Sequence, residues 1–410
     1  MEYLAQKIKV VELFAGVGGF RLGLEAASSR FKTIWANQWE PFQKEQFAFN
    51  CYVSHFGKED NYVCADIATV KSEVPNHDLL VGGFPCQDYS VLKKSAEGIE
   101  GQKGRLWWEV AAILTSRHPK FVVLENVDRL IVSPAKQKGR DFSMILRSFY
   151  ENGYAVEWRV INAAEYGQGQ RRRRTFIVAC HKETKYYKCL AEQVCKQWLK
   201  TMHRYIIAEG ILANSFPIDC FAKEYLDCWI DELEFSSMRE VSERQQVCIH
   251  NSGMMINGRV YSIETKAQLT EPILLKSVLE NKILDEHYFI KDEDLAKWEY
   301  VKGAKNEKRK RADGAEYFFA EGAVAFPDRL DKPSRTLITT ESQLSRMSHV
   351  VSDPYTGRLR TLTPIECERL NGFPDDWTAG MPEKMRYFCM GNALVVPIVT
   401  RIGSVLADCI

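Results

Sequence analysis

The first 180 residues alternate short apolar runs with longer amphipathic segments, and this alternation limits the possible folds more than any other feature. The predicted helices include 40–51, 105–117 and 141–151, and the predicted strands are 8–14, 32–37, 78–83, 121–126, 154–161 and 175–179. Nearly continuous apolar strands between helices favour an α/β fold, with a doubly wound, mostly parallel sheet covered on both faces. Such a sheet binds ligands beyond the carboxyl ends of its strands.

The alternation becomes irregular after about residue 180, which predicts a second, smaller domain of mixed structure. We expect this domain to span 181–375, with its most variable part at about 181–330. The first domain then comprises 1–180 together with 376–410. The segment that starts at Gly391 and Asn392 has apolar residues at helical spacing, and it predicts a final helix packed on a core.

The composition and the first residues argue against a membrane protein and against a secreted protein. The 410 residues contain no apolar run of the ~18 residues that a membrane span needs, and the first residues lack the pattern of a secretory signal. We therefore expect a cytoplasmic protein with no membrane segment. The 12 cysteines show no metal-ligand spacing, so neither a metal site nor a disulfide framework is predicted and most should be reduced thiols.

Charge is informative only locally. The formal net charge of +1 says nothing about a polyanionic partner, but the runs 168–176 and 302–314 are concentrated in arginine and lysine. Either run could contact phosphates. The second could equally be an ordinary solvated face.

A glycine-rich turn, "LFAGVGGFRLGLE" at 13–25, separates the first predicted strand from a helix. This arrangement lets the backbone approach a ligand and points the N–H groups of the helix start at it. Counted from Gly16, however, the third glycine of the dinucleotide fingerprint is Arg21. The turn therefore favours an adenosine-containing ligand without a diphosphate over a dinucleotide.

Five segments in this order then point to a family: "FAGVGG", "GGFPCQDYS", "ENV", "NAAEYGQGQRRRR" and "GNALVVP". Together they resemble the motifs of the DNA cytosine-5 methyltransferases over about 1–180 and 331–410. Four segments further resemble those of bacterial restriction–modification methyltransferases that act on GATC: "GFPCQDYSV", "ENVDRL", "EWRVINAAEYG" and "MGNALVV".

The resemblance implies a catalytic cysteine, Cys86. Carbon 5 of cytosine is a poor nucleophile, and addition of a thiolate to carbon 6 makes it reactive; cysteine suits this because it both attacks and leaves readily. Glu125 would hydrogen-bond ring nitrogen 3. Arg172 and Arg174, which strand alternation places on one face, would brace the cytosine oxygen and the thiol loop, whereas Arg171 and Arg173 would be surface or DNA-backbone charges. The implied substrate-binding residues are Phe84, Gln87, Ser90, Asn126 and Gln170.

The resemblance also implies S-adenosylmethionine as methyl donor, with S-adenosylhomocysteine as product. The residues expected to bind it are Phe14, Ala15, Gly16, Gly18, Gly19, Gln38, Trp39, Asp66, Ile67, Pro85, Leu106, Asn392 and Ala393. One departure matters, because the family commonly carries an acidic residue at the position of Gln38 for the ribose hydroxyls. Either Gln38 or the nearby Glu40 could serve here.

The implied partner is double-stranded DNA, bound by a monomer. The target base must leave the helix stack. The segment 87–104 is expected to close over the base, and 181–330 to read sequence in the major groove. A cognate restriction endonuclease would act on the same site. The alternatives are an RNA cytosine-5 methyltransferase on the same scaffold and a catalytically silent DNA-binding regulator.

Overall fold

The computed structural model describes most of the chain. The described residues are 6–41, 43–84, 106–134, 137–237, 248–283, 285–310 and 314–410. Four of the predicted site residues, Pro85, Cys86, Gln87 and Ser90, lie outside the described residues, as does the segment 87–104 that is expected to close over the base.

The main sheet joins ten strands of the described chain in the order β3-β2-β1-β4-β5-β7-β6-β9-β10-β8. Their bounds are β1 Ile8–Leu13, β2 Phe31–Asn37, β3 Tyr62–Val63, β4 Leu79–Gly82, β5 Phe121–Val127, β6 Tyr154–Asn162, β7 Arg173–His181, β8 Ile218–Trp229, β9 Ser252–Ile256 and β10 Arg259–Ala267. The first five in chain order run parallel, whereas β6 to β10 pair antiparallel with their neighbours. The predicted α/β class is confirmed, and each predicted strand lies within two residues of its observed bounds.

Helices cover this sheet and build much of the remaining chain. They are α1 Gly19–Ala27, α2 Phe47–Phe56, α3 Ile67–Val70, α4 Leu106–Arg117, α5 Arg140–Glu151, α6 Lys185–Lys196, α7 Trp198–Arg204, α8 Ile211–Ser215, α9 Ile230–Ser237, α10 Asp292–Lys302, α11 Pro364–Asn371, α12 Glu383–Asn392 and α13 Val396–Cys409. Among the described helices, none is by itself long and apolar enough to cross a membrane, although α12 and α13 taken together meet that length and composition test.

Two helix predictions differ from the structure. The helix expected at 40–51 is α2, which begins only at Phe47. The preceding loop is held by the Gln46 amide, which accepts from the Glu40 N–H at 2.7 Å and donates to the Glu40 carbonyl at 2.9 Å. Pro41 also disfavours helical backbone at Glu40. The final helix begins at Val396, because Gly391 and Asn392 instead end the preceding helix.

The central strands are apolar because they are covered on both faces. On one face, Leu80, Val122 and Ile177 belong to a large buried cluster with residues of α4 and α5. On the other face, α13 packs against α1. Burial of apolar area at about 25 cal/mol per Å² makes these two layers the main source of stability, and they fix the strand ends relative to one another.

The described chain divides into two compact units at boundaries that differ from the expected ones. The second unit contains Gly167–Arg172 and Glu271–Val395, and the first contains the described remainder. Residues 181–270 belong to the first unit because β9 pairs with β6, for example Met255 with Val156, and extends the main sheet. Residues 376–395 belong to the second unit because α12 packs there against α11.

The second unit holds two small antiparallel sheets, β11 Lys305–Lys310 with β12 Glu316–Glu321, and β13 Val350–Ser352 with β14 Leu359–Thr361. Its interior contains paired charges. The fully buried Arg360 guanidinium contacts the Asp353 carboxylate at 2.9 Å and the Glu366 carboxylate at 2.7 Å. Because an unpaired buried charge costs several kcal/mol, loss of either partner would destabilise this unit.

A buried carboxyl, Glu12, lies in β1 directly before the glycine-rich turn. Its side chain is fully buried, and the Tyr52 hydroxyl donates to its Oε2 at 3.1 Å. Burial raises the pKa of Glu12 to about 8, and the contacts with Tyr52 and Arg21 offset this only in part. Glu12 is therefore protonated in the folded protein at neutral pH.

This shift predicts a pH-dependent stability. Between the pKa of an unfolded glutamate (about 4.3) and about 8, the folded chain keeps a proton that the unfolded chain loses, so the free energy of unfolding falls as pH rises, by up to about 1.4 kcal/mol per pH unit. Glu12→Gln lacks this group. We expect its unfolding free energy, relative to wild type, to rise between pH 5 and 8 in denaturant titrations. Glu59→Gln, an exposed substitution, controls for the loss of one carboxylate, and a Glu12→Gln difference that is constant with pH would contradict the assignment.

Candidate active site

The chain makes a strained turn where it leaves β1. Phe14 has φ 53°, Gly16 φ 55° and Gly18 φ 89°, in the region that only glycine adopts without cost. The Ala15 N–H donates to the Asn37 carbonyl at 2.9 Å, and the Gly18 N–H donates to the Ala15 carbonyl at 2.8 Å. The turn is therefore tied both to itself and to the end of β2.

The turn leads into the open amino end of α1. Gly18 is the N-cap and provides no side chain, and the first turn contains no acidic residue. A Cβ at Gly18 would lie 2.4 Å from the Phe56 ring, so a larger residue does not fit. The N–H groups of a helix start and its dipole favour a negatively charged group. This site fits a carboxylate, such as that of an amino-acid moiety.

Two consecutive amide side chains connect the ends of three strands. Gln38 Oε1 accepts from the Gly16 N–H at 2.7 Å, which ties the end of β2 to the turn after β1. Asn37 Nδ2 donates to the carbonyls of Val63 and Ala65, at 3.2 and 2.8 Å, which ties β2 to the end of β3. Sequence reasoning missed Asn37, although a polar residue at the carboxyl end of a predicted strand was an available signal.

Apolar side chains flank these ends. Ile67 is buried in the main core, and Phe14 and Leu106 pack against that core while remaining partly accessible. Trp39 is 38% exposed. Asp66 caps α3, because its Oδ1 accepts from the Ala68 N–H at 3.0 Å. Flat apolar surface beside a half-buried carboxylate is the combination that suits a purine carrying an amino group.

Glu125 and Arg174 form an ion pair at the carboxyl end of β5. Strand β5 runs antiparallel to β7, and Val127 of β5 lies opposite Arg174 of β7. Glu125 lies two residues before Val127, so it is on the same face of the sheet as Arg174. Arg174 Nε lies 2.9 Å from Glu125 Oε1, with side chains only 18% and 12% exposed. A Cβ on Gly83 would lie 3.3 Å from Glu125 Oε2, so the carboxylate reaches over the end of β4.

The side chain of Asn126 is buried and contacts the backbone that follows β4. It is 2% exposed, its Nδ2 donates to the Phe84 carbonyl at 3.1 Å, and its Oδ1 accepts from the Val127 N–H at 2.9 Å. Phe84 is also buried, with its ring centroid 5.6 Å from that of Trp107. These contacts make Asn126 and Phe84 supports for the end of β4.

The four consecutive arginines alternate in exposure as predicted. Arg171 and Arg173 are exposed, Arg172 is buried and Arg174 is half-buried. Arg173 Nε lies 3.3 Å from Asp128 Oδ2. Strand β7 begins at Arg173, so Arg172 precedes it.

Gln170 and Arg172 belong to the second unit. Gln170 is fully buried, donates to Asn371 Oδ1 at 2.9 Å and accepts from the Leu337 N–H at 3.0 Å. Arg172 Nη2 donates to the Gly391 carbonyl at 3.0 Å. These contacts hold the segment 167–172 within that unit.

Asn392 and Ala393, two predicted cofactor residues, also lie in the second unit. Asn392 is exposed at the end of α12, and the Ala393 N–H donates to the Cys389 carbonyl at 2.8 Å. The described contacts therefore connect the turn after β1, the ends of β2, β3 and β4, and the Glu125–Arg174 pair. All of these lie in the first unit, at the carboxyl ends of its parallel strands.

The second basic run is less exposed than its charge indicates. Lys302 is buried, its Nζ donates to the Arg346 carbonyl at 3.0 Å, and burial lowers its pKa to about 8. Lys305 lies 3.7 Å from Glu321. Lys302 and Lys305 are therefore structural, whereas Lys308 and Lys310 are exposed.

Comparison with known proteins agrees with this arrangement. The family described as C-5 cytosine-specific DNA methylase matches residues 8–408. The Type II methyltransferase M.Sau3AI of Staphylococcus aureus is 45% identical over 405 residues, 97% of this chain and 95% of that protein. The Type II methyltransferase M.NlaIV of Neisseria lactamica is 26% identical over 435 residues, 97% and 98% of the two chains.

Among solved structures, the Dnmt2 methyltransferase of S. pombe has the same fold. It superposes with a TM-score of 0.56 at 17% identity, over 98% of this chain and 99% of that one. The family match extends over nearly the whole chain, residues 8–408. The chain belongs to the C-5 cytosine-specific DNA methylases and is a DNA (cytosine-5-)-methyltransferase.

Proposed function

We propose that this enzyme transfers the methyl group of S-adenosylmethionine to carbon 5 of a flipped-out cytosine in duplex DNA, at GATC, through a covalent bond to Cys86. It would be the modification half of a restriction–modification system. The observation that carries the proposal is the strand order: β4, which precedes Cys86 in the sequence, lies between β1 with its glycine turn and β5 with Glu125. GATC rests on the motif resemblance and on the similarity to a Type II methyltransferase.

The residues present fit the methyl donor. The uncapped start of α1 suits its carboxylate, and the partly accessible rings of Phe14 and Trp39 suit its adenine. When bound, this cofactor supplies an electrophilic methyl group on a sulfonium. The chain's task is to hold that methyl above carbon 5 and to exclude water.

Cys86 would act as the nucleophile. Its thiolate forms a bond to carbon 6, and the displaced electron pair of the 5,6 double bond makes carbon 5 an enamine carbon. Carbon 5 then forms a bond to the methyl group, whose bond to the sulfonium sulfur breaks, so that S-adenosylhomocysteine is left. Loss of the carbon-5 proton to a base then restores the double bond and expels the thiolate. The cytosine ring is thus restored with a methyl group on carbon 5, and the thiolate is regenerated.

Glu125 and Arg174 would stabilise the charge that this addition creates. Addition at carbon 6 moves electron density to ring nitrogen 3 and the adjacent oxygen, where a carboxyl and a guanidinium can each form a hydrogen bond. Because both side chains are largely shielded from water, these contacts are stronger than they would be in solvent.

Gln38 would fix the glycine turn rather than accept from the ribose. Its Oε1 already accepts from the Gly16 N–H, which leaves one lone pair of that oxygen and the Nε2 donor for a ligand. A carboxylate at this position could accept from both partners. Glu40 then becomes the candidate acceptor for the ribose hydroxyls.

The first prediction concerns the nucleophile. Cys86→Ser should retain binding to a GATC duplex and lose methyl transfer, because the alkoxide needed for addition is far less accessible than a thiolate at neutral pH. Transfer of tritiated methyl groups measures the loss, and a gel shift measures binding. Full activity in this variant would refute the covalent route.

The second prediction concerns the ion pair. Glu125→Gln and Arg174→Gln should each lower kcat by about 100-fold or more, and the double variant should lose less than the product of the two, since both act on one transition state. Lys120→Gln, at the opposite end of β5 and paired with Asp78, provides the matched control and should keep wild-type kcat. Multiplicative losses in the double variant would contradict joint action.

The third prediction concerns the turn. Gln38→Leu should speed amide hydrogen exchange at Gly16 in the absence of any ligand, and Gln38→Glu, which keeps an acceptor, should restore protection. A direct ribose ligand would leave exchange in the free protein unchanged and alter only affinity for S-adenosylhomocysteine. Unchanged exchange in Gln38→Leu would therefore assign Gln38 to the ligand instead of the turn.

A further inference from the structure

The ribbon formed by β11 and β12 has two faces of different chemistry. Residues that pair across an antiparallel ribbon lie on the same face. The half-buried inner face has the pairs Lys305–Glu321, Glu307–Phe319 and Arg309–Tyr317, and the exposed outer face has the pairs Asn306–Ala320, Lys308–Phe318 and Lys310–Glu316.

The charged side chains of the inner face have partners within their own unit. The Arg309 guanidinium lies 3.7 Å from the centroid of the Phe319 ring and pairs with Glu307 at 2.5 Å. Glu321 binds Arg346 at 2.9 Å, which anchors the base of the ribbon. The inner face therefore holds the ribbon in place.

Two polar side chains of the outer face lack such partners within the described chain. Among the described residues, Lys308 and Asn306 form no side-chain hydrogen bond or ion pair, and Lys310 lies 3.9 Å from Glu316. Phe318 is 63% exposed, beside Lys308 on the paired strand. The outer face therefore presents an apolar ring, a cation and an amide together to a partner in solvent.

We propose that the outer face of this ribbon enters the major groove of the target duplex and reads bases through Asn306, Lys308 and Phe318. The inference rests on the proposed action on duplex DNA and assigns the side chains that give it sequence specificity.

The dimensions of the ribbon suit this task. The major groove is about 12 Å wide and admits a two-stranded ribbon, whose strands lie about 4.8 Å apart. Alternate residues of a strand recur every ~6.8 Å, twice the ~3.4 Å rise of a base pair. The span from Asn306 to Lys310 therefore covers about four base pairs.

The chemistry of the outer face also fits. Lysine donates to guanine O6 and N7, asparagine bonds adenine N6 and N7, and apolar side chains contact the thymine methyl group. These are the three bases of GATC other than the cytosine that leaves the stack. Lys308, Asn306 and Phe318 provide one of each type.

The test pairs each side chain with the base atom it would contact. Rates of methylation (kcat/KM) are compared on GATC duplexes that carry 7-deazaguanine, 7-deazaadenine or uracil in place of guanine, adenine or thymine. Each change should slow the wild-type enzyme, by about tenfold for 7-deazaguanine. Lys308→Ala should then lose its sensitivity to 7-deazaguanine, Asn306→Ala to 7-deazaadenine, and Phe318→Ala to uracil.

The controls separate this inference from the proposed function. Lys297→Ala removes an exposed lysine of α10 in the same unit and should match wild type on every duplex; circular dichroism shows whether each variant is folded. Equal slowing of the ribbon variants on all duplexes would mean that the ribbon contacts only phosphates or stabilises the unit, and would overturn base reading. A wild-type enzyme that methylates no duplex would overturn the proposed function, and this inference with it.

Discussion

The hydrogen bonds that join neighbouring strand ends are the constraint on which the rest of this enzyme depends. Parallel strands pair along their length, but the loops that follow them have no ladder to hold them. Here the buried amides of Asn37 and Gln38 take that role, one toward the end of β3 and the other toward Gly16. Because both amides are buried, breaking either bond would leave an unsatisfied polar group and cost about 1–3 kcal/mol.

A second constraint is the reversal of direction at β7. If every strand were parallel, only carboxyl ends of strands would lie on the side of the sheet where β1 to β5 end. The antiparallel strand β7 starts there, so Arg174 lies beside Glu125 although the two are far apart in sequence. The sheet topology thereby brings a fixed positive charge to an acidic strand end, and Gly83 leaves room for the carboxylate between β4 and β5.

Much of the fold could be predicted from the sequence because its signals are local. The apolar runs gave six strands to within two residues, and the alternation of the arginines gave their exposure. The role of β8 to β10 could not be predicted in this way, because sheet pairing is nonlocal and β8 reads as a polar segment, "IDCFAKEYLDCW". The late start of α2 depends on contacts of the Gln46 amide across the loop.

The candidate site shows the same limit. Residue types at strand ends pointed to the turn, Glu125 and Arg174 as candidates, but not to the partners of their side-chain atoms. Asn126 was expected to hold the base, and residue type alone did not show that its amide also bonds the Phe84 carbonyl and the Val127 N–H. Gln38 and Glu40 were both candidates for the ribose hydroxyls, and residue type alone did not show that the Gln38 oxygen accepts from the Gly16 N–H. Hydrogen-bond partners of this kind depend on distances of a few tenths of an ångström, which sequence patterns do not encode.

The most direct test of the central claim is peptide mass spectrometry of the enzyme incubated with S-adenosylmethionine and a GATC duplex that contains 5-fluorocytosine. Fluorine cannot leave as a proton does, so the covalent complex should persist through denaturation and digestion. We expect one modified peptide, containing Cys86 bound to a methylated fluorinated base. A stable conjugate at any other cysteine, or methylation without any conjugate, would contradict it.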